Sequence, residues 1–226
     1  MVKRKLKDRD VLDLYEICLS ERKSDRAFSI FRAVQSDKSE KSLLETELGD
    51  RDRELWNFRQ STYGQTLDAK FQCHVCEEWL ELQLNDSFQF PRKITNMPIV
   101  HFKEEEFQIR LPKCKDLKHS SQTGFDPSAL CPGAPWEDPE FRKIAAAEVE
   151  KADPALEISF STQCVSCDSN VTASFEICDF LWADIKDEAK NILSQIAQLA
   201  SQFGWTESDC LSLSPQRRAL YLGMIS

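Results

Sequence analysis

The chain has 226 residues, 41% of them hydrophobic, which is enough to build a packed core and argues against a disordered protein. Its formal charge of −9 and isoelectric point near 5.0 oppose a large nucleic-acid interface, because such an interface needs a basic face to neutralise phosphates. No stretch approaches the roughly 20 apolar residues of a membrane span, and no apolar segment follows the basic start, so we expect neither membrane insertion nor secretion.

The N-terminal third has the hydrophobic periodicity of helices. Apolar residues recur at helical spacing over 8–22 and again over 24–34. The polar stretch 35–41 is predicted to be a loop, and a third helix is predicted from Asp50 to just before Gly64, where a glycine can end it.

A region of alternating hydrophobicity follows. Residues 71–84 predict a strand, a tight turn around a Cys-x-x-Cys pair and a second strand, and residues 158–177 repeat this plan around a second pair. We call each Cys-x-x-Cys turn a knuckle. The two halves of this region are therefore expected to be similar hairpins.

The segment between the two hairpins is harder to interpret. Alternation over 107–111 predicts a strand that Pro112 stops, and 140–151 predicts a short helix. Residues 113–139 hold four of the nine prolines and few periodic positions, so we expect a long excursion or linker there.

The C-terminal region contains the clearest helix. Apolar residues step by three or four over 181–203, and Gly204 can end this helix. Thr206 with Asp209 predicts a capping box, and Ser214 before a proline predicts the start of a last short helix.

These elements predict an α+β fold with N-terminal helices, a zinc-ribbon-like pair of β-hairpins, and a C-terminal long helix followed by two short helices. The predicted regions are a helical region over 1–66, a β region with a long insertion over 67–177, and a helical region over 178–226.

The cysteines give the strongest chemical signal. Nine is an odd number, and without a recognisable export signal it favours reduced thiols or metal ligation over disulfides. Two knuckles can point four sulfurs at one ion. Four sulfurs around an ion form the closed tetrahedral ligand set that structural zinc prefers. The long insertion between the two cysteine pairs adds little to the entropic cost of bringing them together, because this cost grows only with the logarithm of the loop length. The predicted cofactor is one structural zinc ion, held by four ligands: Cys73, Cys76, Cys164 and Cys167.

Other interpretations of the cysteines stay open. They can be reduced buried residues, and knuckles favour glycine after the second cysteine, where this chain has Glu77 and Asp168. A redox pair is a third possibility, although neither pair directly precedes a helical pattern. A catalytic zinc would use three protein ligands, and histidine can serve as one, but four available sulfurs favour a closed site, with His74 exposed.

Signatures of common enzymes are missing from the sequence. There are only six glycines and no glycine-rich phosphate loop, and neither H-E-x-x-H nor G-x-S-x-G occurs. The acidic run 104–106 is expected to be a solvated turn or strand edge. We therefore expect a protein that is not an enzyme and has no small-molecule substrate.

Several motifs occur in the order known from one protein family. Besides the two cysteine pairs, these segments are Gly49-Asp50-Arg51-Asp52 to Tyr63-Gly64, Arg110-Leu111-Pro112 with Asp116-Leu117, Ala152-Asp153-Pro154, Phe180-Leu181-Trp182-Ala183, Phe203 to Glu207, and Leu211 to Leu222 with its Ser214-Pro215-x-Arg217-Arg218 start. In these segments the sequence resembles baseplate-hub proteins of contractile-tailed phages and of phage-tail-like contractile injection systems, and the match spans most of the chain. Its most specific part is the C-terminal run. The family's usual knuckle, Cys-Pro-x-Cys-Gly, is present here without its proline and glycine.

The resemblance implies a structural or assembly component of a baseplate or hub, with other baseplate, hub or tail proteins as partners. It implies a bacterial cytoplasmic location during assembly, or a place in the phage virion or injection-system particle. The last helix is amphipathic and basic, which suits docking on a partner. The predicted partner-binding residues are Arg217, Arg218, Tyr221, Leu222 and Ile225.

The alternative function is a zinc-ribbon module that binds nucleic acid or regulates another protein. A nucleic-acid module should carry basic and aromatic residues near its knuckles. This chain instead carries acidic residues there, so nucleic acid is not an expected partner; they are Glu77, Glu78, Glu81, Asp168 and Glu176.

Overall fold

The computed structural model describes residues 5–85, 88–119 and 125–225. The fold is α+β, as predicted, and the long helix lies in the C-terminal region. The elements in chain order are α1 (Asp8–Ser20), α2 (Lys23–Val34), α3 (Glu40–Leu44), α4 (Leu48–Tyr63), β1 (Leu67–Gln72), β2 (Trp79–Leu84), β3 (Ile99–Phe102), β4 (Glu105–Gln108), α5 (Cys114–His119), α6 (Pro139–Ala152), β5 (Ile158–Gln163), β6 (Asn170–Phe175), α7 (Ile177–Phe203), α8 (Glu207–Ser212) and α9 (Pro215–Gly223).

The chain forms two compact units from non-consecutive segments. Unit 1 contains Gln35–Cys178, and unit 2 combines Arg4–Val34 with Asp179–Ser226. The three consecutive regions predicted from sequence stay a prediction. Within the described ranges, no helix is both long enough and apolar enough to cross a membrane.

Two antiparallel hairpins dominate unit 1, as the alternation predicts. In the first, β1 pairs with β2 from Leu67 opposite Leu84 to Gln72 opposite Trp79. In the second, β5 pairs with β6 in the equivalent way, from Ile158 opposite Phe175 to Gln163 opposite Asn170. Both hairpins have strands of six residues on each side of a knuckle. Aromatic contacts, most of them edge-to-face, join the second hairpin to its surroundings through Trp56, Phe88, Phe90, Phe160 and Phe175.

The segment between the hairpins differs from the expected excursion. It contains α5 and a short 3-10 turn, Pro127–Ala129, and Leu130 belongs to a buried cluster that also contains Val100 of β3 and Phe141 of α6. Strand β4 ends at Gln108, earlier than predicted. The N–H of Ile109 still donates to the carbonyl of Pro98, its opposite residue in the register, but Pro98 has no N–H to donate in return, and the N–H of Arg110 donates to Leu130 instead. Helix α3 was also not predicted; Ser39 caps it within the expected loop.

A buried ion network ties α4 to the turn that leads into β5. The Asp153 side chain is fully buried. Its carboxylate accepts hydrogen bonds from both Nη groups of Arg53 and from the backbone N–H of Ala155. Arg53 contacts Asp50 at 2.8 Å, and Lys93 contacts Asp50 at 2.7 Å. Removing one partner of such a buried pair typically costs about 3–5 kcal/mol, so this network fixes where the second hairpin starts.

Unit 2 is helical and has its own core. Helices α1 and α2 bury most of the residues predicted from helical spacing, including Val11 and Ile30, and α7 buries Leu181, Ile185 and Leu199. Helix α7 ends at Phe203, where Gly204 has a φ of 67°. The predicted capping box of α8 and the serine cap of α9 are both present.

Candidate metal centre

The two knuckles bring the four predicted cysteines together. The Sγ atoms of Cys73 and Cys167 are 3.7 Å apart, and those of Cys76 and Cys164 are 3.6 Å apart. All four Sγ atoms lie within 4.8 Å of one another, and none of these cysteines is in a disulfide. The cross-hairpin pairs show that one site is shared by both halves of the chain.

The distances fit a tetrahedral thiolate site. A Zn–S bond of about 2.3 Å places the sulfurs of a regular tetrahedron roughly 3.8 Å apart. A disulfide bond would instead need an S–S distance of about 2.05 Å. The four cysteines are therefore placed to bind a metal ion in a closed, four-ligand set.

The knuckle backbones are equivalent although neither contains glycine. Glu77 has a φ of 61° and Asp168 a φ of 55°. The N–H of Glu77 donates to the carbonyl of Cys73, and the N–H of Asp168 donates to the carbonyl of Cys164, both at 2.9 Å. Two non-glycine residues thus adopt the left-handed conformation that the knuckle requires, which removes the sequence-based objection to a metal site.

Glycine at these positions should relieve backbone strain. Because a left-handed backbone costs an ordinary residue about 1–2 kcal/mol and glycine loses part of this gain to chain entropy, we expect Glu77→Gly to raise the free energy of unfolding by up to about 1 kcal/mol. Asp168→Gly should gain less, because aspartate tolerates this conformation better. Urea unfolding of the zinc-loaded protein measures both changes. Glu78→Gly is the control and should destabilise; a loss in all three variants would contradict the prediction.

Ser169 is a site residue that the sequence analysis missed. Its hydroxyl lies 3.2 Å from the Sγ atom of Cys73 and 3.1 Å from that of Cys167. The Ser169 hydroxyl, with the backbone N–H groups of Cys76 and Val75, lowers the pKa of Cys73 to about 5. The same hydroxyl lowers the pKa of Cys167. Its place two residues after Cys167 does not by itself reveal this role, because the contact with Cys73 joins two distant hairpins.

Crowding of the sulfurs raises the pKa of Cys76, whereas the pKa values of Cys73 and Cys167 are lowered. The backbone N–H of Glu78 favours its thiolate, but the neighbouring Cys167 and Cys164 and desolvation outweigh this and raise the pKa of Cys76 to about 12. Thiolates this close repel one another, so complete deprotonation of the set requires a cation. The electrostatics of the cluster therefore favour binding of a divalent ion.

Removing the Ser169 hydroxyl should weaken metal binding without unfolding the hairpins. Because outer hydrogen bonds to ligands typically contribute 10- to 100-fold in affinity, we expect Ser169→Ala to lower zinc affinity by about tenfold or more. Competition against a chromophoric chelator measures the change. The matched control is Ser174→Ala, an exposed serine of β6. Equal affinity in the two variants would show that the hydroxyl has no part in holding the metal.

The site is covered on one side and reachable on the other. Cys73 and Cys164 are buried against Leu80 and Val171, whereas Cys76 is exposed. The protein thus closes the inner half of the site with apolar side chains. A dry inner half and four sulfur ligands are typical of a structural metal centre.

Two histidines and the remaining cysteines lie outside the set. His74 is exposed, as expected, and His101 is in β3, where its Nδ1 atom is 3.4 Å from Glu106. His119 ends α5. The other five cysteines are buried or half-buried; they are Cys18, Cys114, Cys131, Cys178 and Cys210.

The predicted partner-binding residues lie in and just after α9. Arg218 differs from the expectation of a surface residue: it is only 2% exposed and pairs with Asp8 inside unit 2. Tyr221 packs edge-to-face against Phe203 and Trp205. Arg217 is exposed, and Leu222 and Ile225 are half-buried. Arg218 therefore stabilises the fold, and partner binding by the other residues stays a prediction.

Comparisons with known protein families, with curated proteins and with solved structures returned no match to this chain.

Proposed function

We propose that the four cysteines bind one structural zinc ion, and that the chain is a non-enzymatic structural or assembly component of the baseplate or hub of a contractile tail. The observation that carries the metal assignment is the convergence of four Sγ atoms from two hairpins within 4.8 Å. A zinc ion there would tie two segments that are far apart in sequence, and this is a structural role.

The donor set and its place in two hairpin knuckles together support zinc. Four thiolates are soft ligands, and a tetrahedral set of sulfurs is typical of zinc or of iron–sulfur chemistry. Each pair of cysteines lies in a hairpin knuckle, the arrangement found in zinc ribbons. The proposed zinc needs no open coordination position.

The baseplate assignment is supported by the positions of the motifs on which the resemblance rests. Gly49 lies directly against the carboxylate of Asp153, so two of the matching segments contact each other. Arg110 and Asp116, from another matching pair of segments, form a bidentate ion pair at 2.7 and 2.8 Å. These matching segments thus contact one another within unit 1, as segments of one shared fold would.

The proposed partners are other baseplate, hub or tail proteins. The alternative, a zinc-ribbon module for nucleic acid, is less well supported, because Glu77, Glu78 and Asp168 are exposed in the knuckles. Phosphates would be repelled there.

The test is tagged protein expressed in cells that carry the rest of its gene neighbourhood. We expect mass spectrometry of the copurified material to find tail or baseplate proteins, and deletion of the gene to leave baseplates incomplete by electron microscopy. Complementation with Cys73→Ser should fail, and complementation with Cys131→Ser, which changes a cysteine outside the cluster, should succeed. Normal particles in the deletion strain would contradict the proposal.

A further inference from the structure

The two adjoining hairpins expose large apolar side chains in or next to their knuckles. Val75 is 61% exposed, Trp79 is 59% exposed and Val165 is 86% exposed. Val75 and Val165 belong to knuckles whose sulfurs lie within 4.8 Å of one another, and Trp79 starts the strand that leaves the first knuckle. We call these three residues the knuckle-tip patch. Single exposed apolar residues are ordinary, but a group of them on adjoining knuckles is a candidate interaction surface.

Negative charge accompanies this patch. Glu77, Glu78 and Asp168 are exposed, and neither 73–78 nor 164–169 contains a lysine or arginine. Further along the first hairpin, by contrast, Glu81 pairs with Lys70 at 2.7 Å. Four thiolates around a zinc ion would add a net charge of about −2 at the same end. The patch is therefore both apolar and strongly acidic.

We propose that the knuckle-tip patch docks a basic segment of a partner protein that carries apolar side chains between its lysines or arginines. This inference rests on the proposed function and names the chemistry of its partner. Tryptophan is enriched among the residues that dominate binding energy, and carboxylates around such a residue steer and orient a cationic partner.

The charge of the patch disfavours other occupants. A nucleic acid or an anionic lipid surface would be repelled by the carboxylates. A second copy of this chain, related by a two-fold axis, would place the same acidic residues opposite one another. A cationic segment is the occupant whose charge complements all three carboxylates.

The metal centre would hold this surface in a fixed shape. Both knuckles close through 2.9 Å backbone hydrogen bonds beside their cysteines, so one ion bound by all four sulfurs would fix Val75 and Val165 together. A surface that is fixed before binding loses less entropy when the partner docks. Binding should therefore need zinc-loaded protein.

The probe is a short fluorescein-labelled peptide of alternating lysine and leucine, titrated with the zinc-loaded full chain and followed by fluorescence anisotropy. We expect Val75→Ser combined with Val165→Ser to raise the Kd about tenfold, as loss of a central apolar contact does. Glu77→Asn combined with Asp168→Asn should also raise the Kd and reduce its salt dependence. Peptides of lysine with serine, or of glutamate with leucine, should bind more weakly.

Matched controls distinguish binding at the patch from attraction of the peptide to exposed acidic or apolar residues elsewhere in unit 1. Asparagine tolerates the left-handed backbone, so Glu77→Asn and Asp168→Asn keep the knuckles intact. Glu104→Asn makes the same change at another exposed residue, with a φ of 68°, and Ile94→Ser removes another exposed apolar side chain of unit 1. Both controls should bind like the unchanged protein.

Two outcomes would overturn the inference: a Kd that is unchanged in the patch variants, or a Kd raised equally in the controls. Zinc content measured on the same samples separates this failure from that of the proposed function. Protein that contains no zinc contradicts the proposed metal centre. Zinc-loaded protein whose Kd for the peptide is unchanged by the patch substitutions contradicts this inference alone.

Discussion

Replacing Cys73 by serine should unfold the paired hairpins of unit 1, and replacing Cys164 should do the same. Structural zinc sites contribute roughly 10–16 kcal/mol of apparent binding free energy near neutral pH, as much as the whole stability of a typical domain. Each cysteine belongs to one hairpin and faces a cysteine of the other across 3.6–3.7 Å, so either loss breaks the shared site. Thermal unfolding with zinc analysis measures the effect.

Cys131→Ser provides the control for this prediction. Cys131 is half-buried and lies outside the cluster, so its replacement should shift the melting temperature only slightly. If one knuckle tolerated serine without any change in unfolding while the other did not, a single site shared by both hairpins would be the wrong description. The two cysteine pairs would then have separate roles.

Gly49→Ala should be the second most damaging change. A methyl group at Gly49 would place its carbon 2.6 Å from the Cγ atom of Asp153, whose carboxylate is buried and bound to Arg53. Neither the α4 backbone at Gly49 nor the buried Asp153 carboxylate can move away easily. We therefore expect the free energy of unfolding to fall by about 2–4 kcal/mol, through overpacking and disturbance of the ion pair. The midpoint of urea unfolding measures it.

A double-mutant cycle identifies the cause of this loss. Asp153→Ala is itself destabilising, but in its background Gly49→Ala should cost much less, because the carboxylate that blocks the methyl group is gone. Gly223→Ala is the matched control, since nothing lies within 4 Å of its added carbon. Additive effects of the two changes would contradict the proposed contact.

The hairpins and the helical cores could be predicted because they follow from local patterns. Strand alternation on both sides of each cysteine pair predicts the two hairpins, and apolar spacing predicts α7 up to Gly204. The cysteine spacing also predicts a four-sulfur cluster, which the structure contains. These features depend on residues that are close in sequence or on one strong chemical signature.

The features that could not be predicted depend on contacts between distant residues. Leu130 is buried in the same cluster as Phe141, so the proline-rich segment belongs to a core although it has no periodicity. Arg218 looks like a surface cation until its pairing with Asp8 is seen, because charge alone does not reveal a buried partner. Ser169 becomes a site residue only when the two knuckles meet.

Elemental analysis of protein purified without chelators, combined with titration of its native thiols, tests the zinc centre most directly. We predict one tightly bound zinc per chain, with Cys73, Cys76, Cys164 and Cys167 protected from a thiol reagent until the metal is removed. Protein that contains no metal and has four reactive thiols at these positions would contradict the account.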